Sequence, residues 1–175
     1  MSTVSMRTDH ITRHIRPGDV VAVGQVLGEP TALIEELIRH AGELAGVTLF
    51  VGMSVTGVLP RVPPGIHLVS SVGMAPNSEL IAAERMRLVP CHMSELPWLL
   101  TEGPLRADVA LVLLSPPDAD GYCSLGVTSD YAWPAVQAAD WVVVPPTLVP
   151  PCTSVSASLL SERSTSRLSF SFLFD

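Results

Sequence analysis

The chain is 175 residues long, 47% hydrophobic and 15% charged. That composition suits one globular domain with a substantial core and excludes a disordered chain. The net charge is -7 and all ten basic residues are arginines spread without a cluster, so neither nucleic acid nor an anionic membrane surface has an electrostatic footprint to bind. The absence of lysine excludes a Walker phosphate loop and Schiff-base chemistry.

Residues 1–14 mix Ser, Thr, Arg, Asp and His without the apolar stretch of a secretory signal, and read as a flexible amino-terminal segment. His10 and His14 stand four apart, the spacing of two metal ligands on one helix face. Without a His-Glu-x-x-His pattern they read as part of a solvated terminus. Runs buried on both faces, at 20–23, 47–51, 66–70, 88–91, 107–114 and 141–144, are the predicted strands of a largely parallel sheet.

Helical patterns lie between these runs. The first opens at Pro30, carries Leu33, Ile34, Leu37, Ile38, Ala41 and Leu44 on one face and Glu35, Glu36, Arg39 and Glu43 on the wet side, and closes at Gly46. Others are expected over 77–85, over 95–101 behind a Ser94 cap, and over 133–139, entered through Pro134. Strands alternating with helices predict an open α/β layer fold, helices on both faces, with the loops at the strand ends forming a ligand-facing rim. Cys91, Cys123 and Cys152 include no Cys-x-x-Cys pair, which fits reduced thiols in a cytoplasmic protein rather than a disulfide framework, zinc site or redox dithiol. No apolar run reaches the ~20 residues that span a bilayer.

Three motifs carry the functional reading. The apolar run 107–114 ends in Ser115-Pro116-Pro117-Asp118-Ala119-Asp120-Gly121-Tyr122-Cys123-Ser124-Leu125-Gly126, followed by Val127-Thr128-Ser129-Asp130-Tyr131. The first strand runs into Gly24-Gln25-Val26-Leu27-Gly28-Glu29-Pro30, and a third segment reads Val89-Pro90-Cys91-His92-Met93-Ser94-Glu95-Leu96-Pro97. Together they resemble the acetyl-CoA hydrolase/transferase family, the 4-hydroxybutyrate CoA-transferase-like group of class I CoA-transferases. The matching elements are its Ser-Pro-Pro-Asp-x-x-Gly-Tyr-x-Ser-Leu-Gly signature, its Gly-x-x-x-x-Glu-Pro-x-x-Leu turn and its Val-Pro-x-His-x-Ser-x-x-Pro segment.

The resemblance runs from about residue 15 to residue 143, and implies a CoA-transferase-like amino-terminal α/β domain over 15–144. Residues 145–175 are rich in Pro and Ser, follow no period and do not match the family. They are expected to be a disordered or frame-shifted tail on a truncated domain. The resemblance implies acyl-CoA and a small carboxylate as substrates, no permanently bound cofactor, and a glutamate nucleophile that forms a glutamyl-CoA thioester. In the family that glutamate sits in the carboxyl-terminal domain. No catalytic residue is therefore expected here, and the missing domain, or a second copy of the chain, becomes the expected partner.

Several residues carry two readings each. Gly24, Gln25, Gly28, Glu29 and Pro30 form either an amide-lined turn facing substrate or a tight strand-to-helix turn. Glu29 as a nucleophile is disfavoured beside a helix N-terminus, and a cap or wall residue is the alternative. Asp118, Asp120, Gly121 and Ser124 either line the same rim or maintain their own loop. His92 and Ser94 suggest an acid-base pair or a satisfied histidine in the core. Gly52-Met53-Ser54-Val55-Thr56-Gly57 resembles a nucleophile elbow with its second glycine one residue late and no triad evident. Non-enzymatic self-association through an exposed apolar patch is the alternative to CoA chemistry. A sugar-phosphate isomerase relative is a weaker third, without the lysine such a site would need.

Overall fold

The computed structural model describes residues 3–5, 11–74, 76–115, 123–126 and 128–145. Asp118, Gly121, Cys152 and nearly all of the Pro/Ser-rich segment 145–175 lie outside them. The described chain forms β1 (Thr3–Ser5), β2 (Val20–Val23), β3 (Thr48–Val51), β4 (His67–Ser70), β5 (Met86–Leu88), β6 (Val109–Leu111) and β7 (Trp141–Val143). Its α-helices are α1 (Thr31–Arg39), α2 (Asn77–Ala82), α3 (Leu96–Thr101) and α4 (Ala132–Ala138). All pairings are parallel, in the spatial order β1-β7-β6-β2-β3-β4-β5.

Side-chain alternation divides the core into two layers. Val21, Val23, Leu49, Val51 and Leu68 point to one face and pack with Leu33, Ile34 and Leu37 of α1 and Leu80 of α2. Ala22, Phe50 and Val69 point to the other face, against Leu96, Leu99 and Leu100 of α3 and Ala135 of α4, and Ala110 and Val142 continue that layer under Ala132 and Val136. From β2 the chain adds β3, β4 and β5 outward. It then returns to the other side of β2 for β6 and β7, and with right-handed crossovers that reversal moves the later helices to the opposite face. The predicted open parallel sheet with helices on both faces is the observed fold, and the β2/β6 boundary is its topological switch point.

Four local readings are corrected. Thr3–Ser5 is a strand paired with β7, and Ile11, 0% exposed, belongs to the main core, so the fold begins inside the segment read as flexible. His14 stacks on Trp141 with ring centroids 4.4 Å apart. Glu36, expected on the wet side of α1, is buried, where Arg39 pairs with one carboxylate oxygen and His40 Nε2 approaches the other at 3.1 Å. A buried carboxylate survives only with such partners.

Two expected spans also shift. Strand β5 begins two residues ahead of the predicted run because α2 ends early. The N–H groups of Glu84 and Arg85 donate back to Ile81 O (3.0 Å) and Leu80 O (2.9 Å), with Glu84 at φ +55 in the position that usually takes glycine. The helix at 96–101 is preceded by a 3-10 turn, Met93–Glu95, with His92 at its N-cap: the His92 N–H donates to Glu95 Oε2 at 2.7 Å and the Glu95 N–H to His92 O at 2.9 Å, so Ser94 is not the cap and His92 is exposed.

Replacing Ile11 by Ala is expected to destabilise the protein by about 2–5 kcal/mol, the range for emptying a buried aliphatic site. Chemical denaturation measures this; a change below 0.5 kcal/mol, roughly what a surface site gives, would show the amino-terminal segment to be detached.

Candidate functional site

Where β2 and β3 end, their backbones diverge and leave polar groups that the sheet no longer pairs. Tyr131, just ahead of α4, fills the gap. Its buried hydroxyl donates to Val23 O at 2.5 Å and accepts from Gly52 N at 2.7 Å, while its ring meets Phe50 edge-on at 5.3 Å. Burial raises the phenol's pKa well above its ordinary value, with the nearby carboxylates of Asp130 and Glu29 adding to the effect. The hydroxyl therefore stays protonated and keeps both bonds.

The same device repeats along the next residues. Met53 N donates to Gln25 Oε1 at 2.9 Å, Ser54 N to Asn77 Oδ1 at 3.4 Å, and Val55 N and Thr56 N to Glu29 Oε2 at 3.0 and 3.2 Å. With Gly52, every amide from 52 to 56 is satisfied by a side chain from another segment. Asn77 Nδ2 also donates to Gly52 O at 2.7 Å. Glu29, only 5% exposed, completes its set with Ser54 Oγ at 2.6 Å.

The predicted residues therefore separate by role. Gln25 is a bridge: its amide oxygen holds the β3 loop and its Nε2 donates to Asp130 Oδ2 at 2.5 Å, and Asp130 Oδ1 also accepts from Ala132 N at the start of α4. Gly24 and Gly28 are required by contact. A Cβ on Gly24 would stand 2.4 Å from Gly28 O, and one on Gly28 would stand 2.0 Å from Thr128 Oγ1. Glu29 faces the β3 loop as a clamp, and α1, with Pro30 at its N-cap, has no side-chain cap. Ser124 turns its hydroxyl toward Gly126 N (3.0 Å) and pairs its backbone with Ser115, the loop-maintaining arrangement.

Ser54 is buried and donates to a carboxylate, an arrangement unlike a nucleophile elbow with its base. Asn77 and Tyr131 escaped the sequence reading as site residues. Ser54 entered it only as the centre of the elbow-like stretch, and Tyr131 only as the end of the quoted Val-Thr-Ser-Asp-Tyr stretch. Cys91 is a free thiol whose pKa is raised by partial burial and by Glu95, which works against thiolate reactivity.

Around this polar framework the loops present apolar side chains to solvent. Leu27 after β2, Val55 after β3 and Met74 after β4 are 73%, 51% and 63% exposed, and Met93 follows β5. Between Gln25 and Leu27, Val26 has φ +52, a region a β-branched residue enters at a cost of about 1–3 kcal/mol. Its N–H donates to Met53 O at 3.0 Å, which holds it there. Among the described residues no group of three His, Cys, Asp or Glu side chains is placed to hold a metal ion, and no helix is long and apolar enough to cross a membrane.

Fold and site together define an open α/β domain with a rigid, glycine-turned edge at a topological switch point, the position where such sheets take ligands. Residues 4–147 match the acetyl-CoA hydrolase/transferase N-terminal domain, and the chain belongs to that family. It is 31% identical over 146 residues to the 4-hydroxybutyrate coenzyme A transferase of Clostridium kluyveri, covering 81% of this chain and 33% of that protein. A shorter match, 37% over 59 residues, joins it to a succinyl-CoA:acetate/propanoyl-CoA:succinate CoA transferase of Fasciola hepatica, covering 34% of this chain and 12% of that one.

Among solved structures, RipA of Yersinia pestis superimposes with a TM-score of 0.73 at 20% identity, over 86% of this chain and 44% of that one. A 4-hydroxybutyrate CoA-transferase of Porphyromonas gingivalis gives 0.55 at 26%, over 81% and 32%. The chain thus spans about a third of the transferase matched along most of its sequence.

Replacing Tyr131 by Phe keeps the ring contact and strands Val23 O and Gly52 N, which is expected to cost about 1–3 kcal/mol. Because the folded phenol titrates above the unfolded one, its stabilisation is complete below the unfolded pKa of about 10 and is lost as pH rises toward the folded value. Wild-type stability should therefore fall above pH ~10 more steeply than that of Tyr131→Phe; parallel profiles would contradict the assignment. Gly24→Ala, which drives a Cβ into a backbone carbonyl, is expected to cost about 1–3 kcal/mol, read by thermal denaturation; an unchanged melting temperature would refute the close contact.

Proposed function

We propose that the chain supplies the amino-terminal domain of an acyl-CoA:carboxylate CoA-transferase or acyl-CoA hydrolase, and that the turn Gly24–Pro30 with residues 128–131 ahead of α4 forms one wall of its substrate cleft. The reading is supported chiefly by the way Gln25, Asp130 and Tyr131 fix that turn, the β3 loop and the start of α4 into one edge. A family whose members are named for CoA transfer agrees with it.

In this chemistry a glutamate carboxylate attacks the thioester carbonyl and expels CoA thiolate, leaving an acyl-glutamyl anhydride. The thiolate attacks the glutamyl carbonyl and releases the acyl carboxylate, leaving a glutamyl-CoA thioester. An acceptor carboxylate reverses the sequence, and water in its place gives hydrolysis. The family resemblance assigns the reactive glutamate to a carboxyl-terminal domain, and Glu29 is no substitute for it because its carboxylate is committed to Ser54, Val55 and Thr56. That domain closes over Leu27, Val55 and Met74, whose exposure exceeds what an isolated surface needs. The same exposure supports the second reading, a domain without turnover that self-associates through this edge. The setting is cytoplasmic, in keeping with the thiol of Cys91.

Acetyl-CoA titrated into the purified chain is expected to shift the backbone amide resonances of Gly24, Gln25 and Gly28 saturably, with no CoA-sized mass added to the protein. Shifts confined to the opposite sheet edge would overturn the wall assignment. A CoA thioester accumulating on one of the chain's own glutamates would overturn the assignment of the nucleophile to another domain.

A further inference from the structure

A cleft of about 560 Å³ opens at the other end of the sheet, across the amino-terminal ends of β3, β4 and β5, within the size range of small-molecule sites. Thr48 pairs with His67, and Val69 pairs with both Phe50 and Arg87. With the two-residue alternation of strands, Thr48, His67 and Arg87 therefore project from the same face as Phe50 and Val69. Val62, Pro63 and Pro64 give the cleft an apolar wall.

Arg39, Arg61 and Arg106 each meet a carboxylate. The side chains of Arg87 and His67 make no hydrogen bond or ion pair with a described residue. Arg85 is fixed by donating from Nη2 to Pro60 O (3.0 Å) and Val62 O (2.8 Å), which leaves its remaining N–H groups unspent. Among the described residues Glu84 is the one carboxylate lining the cleft, on the left-handed backbone described above. Two arginines against one glutamate leave a single net positive charge among these side chains, which matches a monoanion better than a phosphate dianion.

We propose that this cleft binds a small monocarboxylate with an apolar body. Arg87 takes the carboxylate through its guanidinium fork, His67 and Thr48 supply further donors, and the apolar chain lies along Val62, Pro63 and Pro64. The site lies on the opposite sheet edge from the substrate wall and does not depend on the transferase reading.

Butyrate is the probe, with 1-butanol as its uncharged counterpart, followed by isothermal titration calorimetry and amide NMR on the full chain. Butyrate is expected to bind with a Kd on the order of a millimolar, as befits a ligand of its size, and to shift His67 and Arg87 while leaving Gln25 unmoved. Arg87→Ala should weaken binding about tenfold or more, as loss of a charge-assisted pair does, with Arg87→Lys intermediate. Gln25→Ala should leave it unchanged. Equal binding of 1-butanol, unchanged binding by Arg87→Ala, or the absence of saturable shifts at His67 and Arg87 would overturn the proposal. Arg87 is exposed on an edge strand, so its variants fold.

Discussion

Five successive amides, from Gly52 to Thr56, leave the end of β3 and find their acceptors on four side chains contributed by other segments: Tyr131, Gln25, Asn77 and Glu29. A buried or half-buried N–H without an acceptor costs about 1–3 kcal/mol, so losing the set would exceed much of the 5–15 kcal/mol by which a typical domain is stable. The loops at the carboxyl edge hold their shape because these acceptors arrive together. The acceptors in turn are placed by β2, α2 and α4.

That dependence makes the edge a platform. The turn after β2 is packed so closely that Gly24 and Gly28 admit no side chain, and Val26 is held in a strained conformation by its bond to Met53 O. Strain persists only where surrounding structure over-determines it. With the polar groups turned inward, the edge offers solvent the apolar side chains Leu27, Val55 and Met74. A fixed backbone with an apolar outer surface suits closure by a second domain in a way that a mobile loop cluster would not.

The sequence made the layers legible because burial on both faces leaves continuous apolar runs. Val20–Val23 is the observed β2, and Leu33, Ile34 and Leu37 lie on the buried face of α1 as their spacing requires. Two failures share a different cause, the dependence of a side chain on the partners it meets only once the elements are packed. Glu36 is buried because Arg39 and His40 wrap its carboxylate, and Ile11 because the turn that carries it packs against α1 in the main core. The glycines of the turn were visible as a motif. The direction in which Gln25 and Glu29 point is a property of the packed loops, which no local pattern encodes.

Amide hydrogen exchange at Gly52 tests the central constraint most directly, because its N–H has Tyr131 as its acceptor. If the clamp organises the edge, Gly52 exchanges only through the opening that unfolds the core and shares the protection of Leu49 and Phe50. Exchange as fast as at an unprotected loop amide, with the β3 core still protected, would show that the strand end opens independently of Tyr131 and would contradict the account.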